Sequence, residues 1–140
     1  MSVLKSDVGA LVGVRWSNEP DELAAGAANG AAVDRHALGL PLSVVLAVRV
    51  GDIEGAPSAQ TIDAKIQDSA DGSTGWADIT GAAITQITAA NTAAFKDVDL
   101  TSARRHVRTV VTVGFTGGAS PNAAVAAALV FGPGNALPVS

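Results

Sequence analysis

Cysteine is absent from this 140-residue chain, and so is tyrosine. The first absence excludes disulfides, thiolate nucleophiles, iron–sulfur clusters and zinc–cysteine centres. Aromatic residues are scarce: two Trp and three Phe make up 4% of the chain, a poor supply of stacking platforms for sugars or bases. Cationic charge is scarce as well. Nine Lys and Arg against 13 Asp and Glu leave a net charge of −4 and an isoelectric point near 4.9. That balance argues against a protein that holds nucleic acid by neutralising phosphates. The longest apolar run, 123–131, is half the length of a membrane-spanning helix. Lys5 and Asp7 stand early in the chain, and Gly9 and Gly13 break the short apolar stretch 8–14. This is not the pattern of an export signal, so the expectation is a chain that works without secretion and without a membrane.

What is present is apolar and small. Hydrophobic residues make up 48% and charged residues 16% of the chain, with a mean hydropathy of +0.33, too apolar for a disordered segment. The length suits one domain, which buries roughly two thirds of the surface its unfolded chain exposes. Alanine supplies about a fifth of the residues and glycine 15 positions, so the core is built from light side chains.

Period-two alternation is the strongest local signal and marks strands with one buried face. Over 42–50, Leu42, Val44, Leu46, Val48 and Val50 share a face. Over 60–67, Ile62, Ala64 and Ile66 oppose Thr61, Asp63, Lys65 and Gln67. A turn of Asp68, Ser69, Asp71, Gly72, Ser73 and Gly75 leads into a short strand at 76–80, which reads as a β-hairpin. A weaker strand is predicted over 94–100. The strongest covers 105–115, where Val107, Thr109, Val111, Val113 and Phe115 face one way and stiff Val and Thr side chains favour extended backbone. Gly117 and Gly118 turn the chain into 122–131. Ser120-Pro121 and the alanine run admit a helix there. The strand reading is favoured because a glycine hairpin joins the segment directly to the strand before it. At the N-terminus, Val8, Ala10, Val12, Val14 and Trp16 also alternate.

About six or seven short strands joined by Gly, Pro, Asp and Ser turns predict an all-β, single-domain antiparallel β-sandwich. Its body is expected over 42–140. Residues 1–41 are expected to be an extended N-terminal strand or arm and a long loop, 18–40, that packs on neighbours.

No side-chain constellation points to catalysis. His36 and His106 lie far apart, without metal-ligand spacing. No G-x-S-x-G elbow is present. Asp68-Ser69-Ala70-Asp71-Gly72 lacks the acid spacing and distal Glu of a calcium loop and reads as hairpin chemistry. Gly117-Gly118 lacks the Lys-Ser/Thr of a phosphate loop. No cofactor and no metal are therefore expected. Arg104, Arg105 and Arg108 form one basic cluster. It reads either as a solvated or internally paired strand end, or as ion-pairing groups for a protein partner, since Arg is enriched in interfaces.

Three stretches carry a resemblance. They are Val33-Asp34-Arg35 ahead of the 42–51 strand, the hairpin segment 65–79 with its Q-x-S-x-D-G spacing followed by W-x-D, and Val98-Asp99-Leu100 followed by Arg104-Arg105-His106-Val107-Arg108. With Leu137-Pro138, they resemble small virion structural proteins of tailed bacteriophages over about three quarters of the chain. His106 stands where that family has Tyr, and Gly75 adds a residue before Trp76. The resemblance implies a non-enzymatic structural protein, specifically a capsid decoration (cement) protein on the outer surface of the virion, assembled in the host cytoplasm. Its implied partners are the major capsid protein and neighbouring copies of itself, in many copies, with no nucleic acid or membrane. The residues expected at such interfaces are Val12, Trp16, Arg35, Asp71, Trp76, Arg104, Arg105 and Arg108. Two other readings stand beside it: a tail or head–tail connector subunit, and a carbohydrate-binding β-sandwich using Trp16 or Trp76 as a platform.

Overall fold

The computed structural model describes residues 12–133. Nine strands follow one another: β1 (Gly13–Leu23), β2 (Gly26–Asn29), β3 (Val33–Asp34), β4 (Ser43–Glu54), β5 (Ala59–Ser69), β6 (Ala77–Ala83), β7 (Thr92–Asp99), β8 (His106–Thr116) and β9 (Asn122–Phe131). They form two antiparallel sheets packed as a sandwich. The first has the order β1-β9-β4-β7. The second has the order β2-β8-β5-β6, with β3 also pairing with β8.

The alternation read from sequence sets the core. Val44, Leu46, Val48 and Val50 of β4 and Val125, Leu129 and Phe131 of β9 are buried on the inner side of the first sheet. Ile62, Ala64 and Ile66 of β5 and Val107, Val111 and Val113 of β8 meet them from the second. The β5–β6 hairpin forms as expected, with Gln67 opposite Asp78 and Asp68 opposite Ala77. Segment 122–131 is a strand, central in its sheet, with β1 on one side and β4 on the other.

Two expectations are corrected. Segment 18–40 is not an excursion. It contains the rest of β1, all of β2 and β3, and a 3-10 turn at Arg35–Leu38, so residues 13–34 contribute strands to both sheets. Val14 and Trp16 belong to a paired strand, the strand of the strand-or-arm expectation, and residues 1–11 lie outside the described residues. The alternation breaks beyond Trp16, where β1 runs as an irregular edge strand. Register shifts between Trp16 and Asn18 and between Asn18 and Asp21 interrupt its period, and Glu19, Pro20 and Asp21 give it the charge and proline that edge strands carry against further pairing.

The second correction concerns Gly117-Gly118. Strands β8 and β9 lie in different sheets, so this turn is an arch over the end of the sandwich rather than a hairpin. Both glycines have positive φ, 69° and 87°. A Cβ on Gly118 would stand 2.7 Å from the Gly55 carbonyl oxygen. The arch packs against the β4–β5 crossing at that end, where the Ala119 N–H donates to the Gly55 carbonyl at 2.9 Å.

Candidate functional site

The two outward faces of the sandwich differ in chemistry. On the second sheet, Thr61, Asp63, Lys65 and Gln67 of β5 point outward, with Asp78 of β6 alongside. Lys65 Nζ donates to Asp78 Oδ2 at 2.9 Å, and Gln67 Nε2 to Asp78 Oδ1 at 2.9 Å. This is the ordinary solvated side of a half-buried sheet.

The middle of the first sheet's outward face is apolar, with charge at its margins: Asp97 and Asp99 on β7, Arg49 on β4 and Glu22 on β1. Its register places Val14, Val130, Val45 and Asp97 in one cross-strand row, and Trp16, Ala128, Ala47 and Phe95 in the next. Beyond them lie Ala126, Arg49 and Ala93. Trp16 is 53% exposed, Val14 49% and Phe95 71%. Between them the alanine methyls of β9 sit low, so that Ala126 and Ala128 are buried although no second layer covers them. The result is a low alanine floor with an aromatic ring on each edge strand. Large aromatics left in water on a contiguous apolar face mark a surface that meets a partner. Transfer of each ring fully out of water is worth roughly 1.5–3 kcal/mol.

The residues expected at an interface are distributed as follows. Trp16 stands on this face. Val12 lines a groove at its end with Leu42, Val45, Asp97 and Val130. The other six lie elsewhere. Arg35 is 3% exposed and has no surface to present. Its guanidinium donates to the carbonyls of Pro41 (2.6 Å), Ala103 (2.9 Å), Leu100 (3.1 Å) and Arg104 (3.1 Å). It thereby ties the loop entering β4 to the loop entering β8. Burial lowers the pKa of this guanidinium, with the Asp68 charge working the other way.

The basic cluster is paired internally. Arg104 Nη2 holds Asp68 Oδ1 at 2.8 Å and the Gly75 carbonyl at 2.7 Å, which fastens the hairpin turn to the loop before β8. Arg105 bridges Asp34 with two bonds, at 2.9 and 2.8 Å. Its hydrogen bond to the carboxylate is the main cause holding Asp34 well below the usual carboxylate range and raising the Arg105 pKa. Arg108 lies 4.3 Å from the Trp76 ring centre and donates to Gln67 Oε1. One face of Trp76 is thus covered by a cation, and the side chain is half-buried. Of the two readings of this cluster, the geometry matches the internally paired strand end.

Asp71 organises the β5–β6 turn. Its Oδ1 accepts from the backbone N–H groups of Ser73 (2.8 Å) and Thr74 (2.9 Å), and its Oδ2 from the Thr74 hydroxyl at 2.8 Å. The backbone bonds, Thr74 first, hold its pKa far below the ordinary range. Among the described residues, no group of three or more His, Asp or Glu side chains is placed to hold a metal ion.

Sequence reasoning missed Phe95, Val14, Val45, Ala47, Ala126, Ala128 and Val130. The available signal was the second face of 122–131: Ala124, Ala126, Ala128 and Val130 carry no polar group, although a solvated face would.

No protein-family model matches this sequence, and no curated protein matches it. Among solved structures, the chain is similar to one from "Structure of infectious bursal disease virus Gx strain". The TM-score is 0.55 at 6% identity, covering 89% of this chain and 33% of that one, so the chain spans about a third of that protein. It also aligns with the C-terminal family 22 carbohydrate-binding module of Clostridium thermocellum Xyn10B, with TM-score 0.44 and 16% identity over 96% of this chain and 92% of that one. A third alignment, to the CBM22-1–GH10 modules of the same enzyme, has TM-score 0.40 and 9% identity, covering 71% of this chain and 18% of that one. At these identities the likeness is one of fold: the chain is an antiparallel β-sandwich.

Proposed function

We propose that this protein is a non-enzymatic structural subunit of a virus particle, and specifically a decoration protein that seats on the outer surface of a bacteriophage capsid and stabilises the shell. The observation that carries this reading is the outward face of the β1-β9-β4-β7 sheet. Its middle is a low floor of alanine and valine, and it is edged by Trp16 and Phe95. A rigid block with such a face is suited to covering a seam between neighbouring subunits, and many weak contacts add up across a symmetric lattice. The fold likeness to a chain of infectious bursal disease virus and the resemblance over the 65–79 hairpin are consistent with it. The test mixes the purified chain with expanded, undecorated capsids, sediments them and counts bound copies. Saturation at hundreds of copies, with capsids surviving harsher heating, is the expected result. A few dozen copies favours a tail or connector subunit, and no binding overturns the decoration reading and leaves the tail or carbohydrate-binding alternatives.

One observation favours a second reading, a carbohydrate-binding sandwich. Trp16 opens onto a groove that also contains Asn18, Glu19, Asp21 and Asn29, an aromatic ring beside hydrogen-bonding groups. Trp fluorescence titrated with a glycan panel tests it. A saturable shift lost in Trp16→Ala supports this reading, and an unchanged spectrum removes it.

A further inference from the structure

We infer that the groove at the Leu42 end of this face receives an arginine side chain of the partner protein, held between the apolar floor of the groove and the carboxylates of Asp97 and Asp99. This deepens the decoration reading above, on which it rests for the identity of the partner, and the first test requires no capsid.

The groove is built by the ends of the strands. Val45 and Val130 form its floor, Val12 lies on one side, and Leu42, 41% exposed, stands at the end. Asp97 and Asp99 of β7 make the opposite wall. Gly132 adds depth: its N–H donates to the Ser43 carbonyl at 3.0 Å, and a Cβ there would stand 2.7 Å from the Ser43 hydroxyl. No side chain therefore rises beside β4 at that level.

The two carboxylates have no counter-charge of their own. Asp97 lies opposite Val45 and Asp99 opposite Ser43. Residues two apart on a strand share a face and stand about 7 Å from one another. Both are exposed, and neither joins an ion pair among the described residues. The Thr101 N–H donates to Asp99 Oδ1 at 2.9 Å, which fixes that carboxyl in place and lowers its pKa. Lys96 falls on the other side of β7 by alternation. Arg49 is four residues beyond Val45 along β4, about 14 Å away in a regular strand.

The charges also say what the partner is not. The margins of the face carry Asp97, Asp99 and Glu22 against the single Arg49, so a second copy would bring more acid than base. A different protein with a cationic contact segment fits. Two like charges side by side repel, and a cation between them turns that repulsion into attraction. The apolar floor suits a charged head carried on a hydrocarbon stem. Arginine meets both demands. Its methylenes can lie along Val45 and Leu42, and its planar fork carries five donors for the two carboxylates. An apolar or acidic side chain in the same place would strip water from Asp97 and Asp99 and return nothing.

The test is an NMR titration of the full chain with the peptide acetyl-Ala-Leu-Arg-Leu-Ala-amide, and with the same peptide carrying Glu in place of Arg. The arginine peptide is expected to shift the amides of Leu42, Ser43, Val45, Asp97 and Asp99 saturably, with a Kd on the order of 1 mM. Binding should weaken severalfold between about 0.05 and about 0.5 M salt. The glutamate peptide should shift none of these amides. Asp97→Asn/Asp99→Asn, verified as folded by circular dichroism, should weaken binding about tenfold or more. Arg49→Gln should leave it within about twofold. Absence of saturable shifts overturns the inference, as does equal binding of the two peptides or binding that the paired change leaves intact. Capsid sedimentation separates the groove from the reading it rests on. A chain that takes up the arginine peptide and ignores capsids upholds the groove and overturns the decoration reading. An Asp97→Asn/Asp99→Asn variant that decorates capsids as well as the wild type overturns the groove and upholds the decoration reading.

Discussion

Trp16 and Phe95 are about eighty residues apart in sequence, yet they occupy one cross-strand row at opposite edges of a sheet, with only Ala128 and Ala47 between them. Neither ring is needed by the core, because the buried layer lies on the other side of the same strands. Their exposure is the feature for which the fold itself supplies no reason, and it separates surface function from stability in the variants below.

Replacing both rings, Trp16→Ala with Phe95→Ala, is expected to change unfolding free energy by less than about 1 kcal/mol, since half or more of each ring is already in water. Attachment to capsids should fall by at least tenfold. Leu129→Ala, on the inner side of the neighbouring strand, should instead cost about 2–5 kcal/mol by opening a cavity. Urea unfolding measured alongside capsid sedimentation distinguishes the two classes.

Arg35 and Arg105 are neighbours, the Arg35 N–H donating to the Arg105 carbonyl at 3.0 Å, but their side chains differ in what they hold. Arg35→Met leaves the carbonyls of Pro41, Leu100, Ala103 and Arg104 without their shared donor. It is expected to lower stability by about 3 kcal/mol or more. Arg105→Met removes an exposed, solvent-screened pair with Asp34 and should move stability far less. Denaturant midpoints of the two variants check the contrast.

Acid should destabilise the fold through Asp34 and Asp71. Both carboxyls titrate far below their ordinary value in the folded chain, so between that low value and the unfolded pKa the unfolded state binds more protons. Stability is therefore fully present above about pH 5 and is lost as the pH falls towards the folded pKa values. Asp71→Asn and Asp34→Asn should each flatten the acid limb of a plot of Tm against pH while leaving its slope above neutrality unchanged.

Backbone geometry provides a fourth test. Gly81 and Gly118 both have positive φ, but nothing lies within 4 Å of a Cβ at Gly81, whereas one at Gly118 meets the Gly55 carbonyl. Gly81→Ala should cost about 1–2 kcal/mol, the strain of the left-handed backbone alone. Gly118→Ala should cost more, because the arch between the sheets must also move. Thermal unfolding of the pair separates strain from contact.

The alternating stretches in β4, β5 and β8 determined their own inner faces. A strand's period is a local property, and burial of Val, Leu and Ile on one side follows from it directly. The hairpin at 69–75 was legible for the same reason, since Asp71 and the glycines act on their immediate neighbours. Tertiary structure decided the rest. Two glycines after β8 are compatible with either a hairpin or an arch, and the choice fell to which inner faces had to meet across the core. Beyond Trp16, strand β1 was masked by bulges and edge-strand charges whose purpose appears only once β9 lies beside it. The apolar outward face escaped notice because alternation assigns one face to the core and the other to water. Only the register, by bringing Trp16, Ala128, Ala47 and Phe95 from four distant segments into one row, made those scattered apolar residues a single surface.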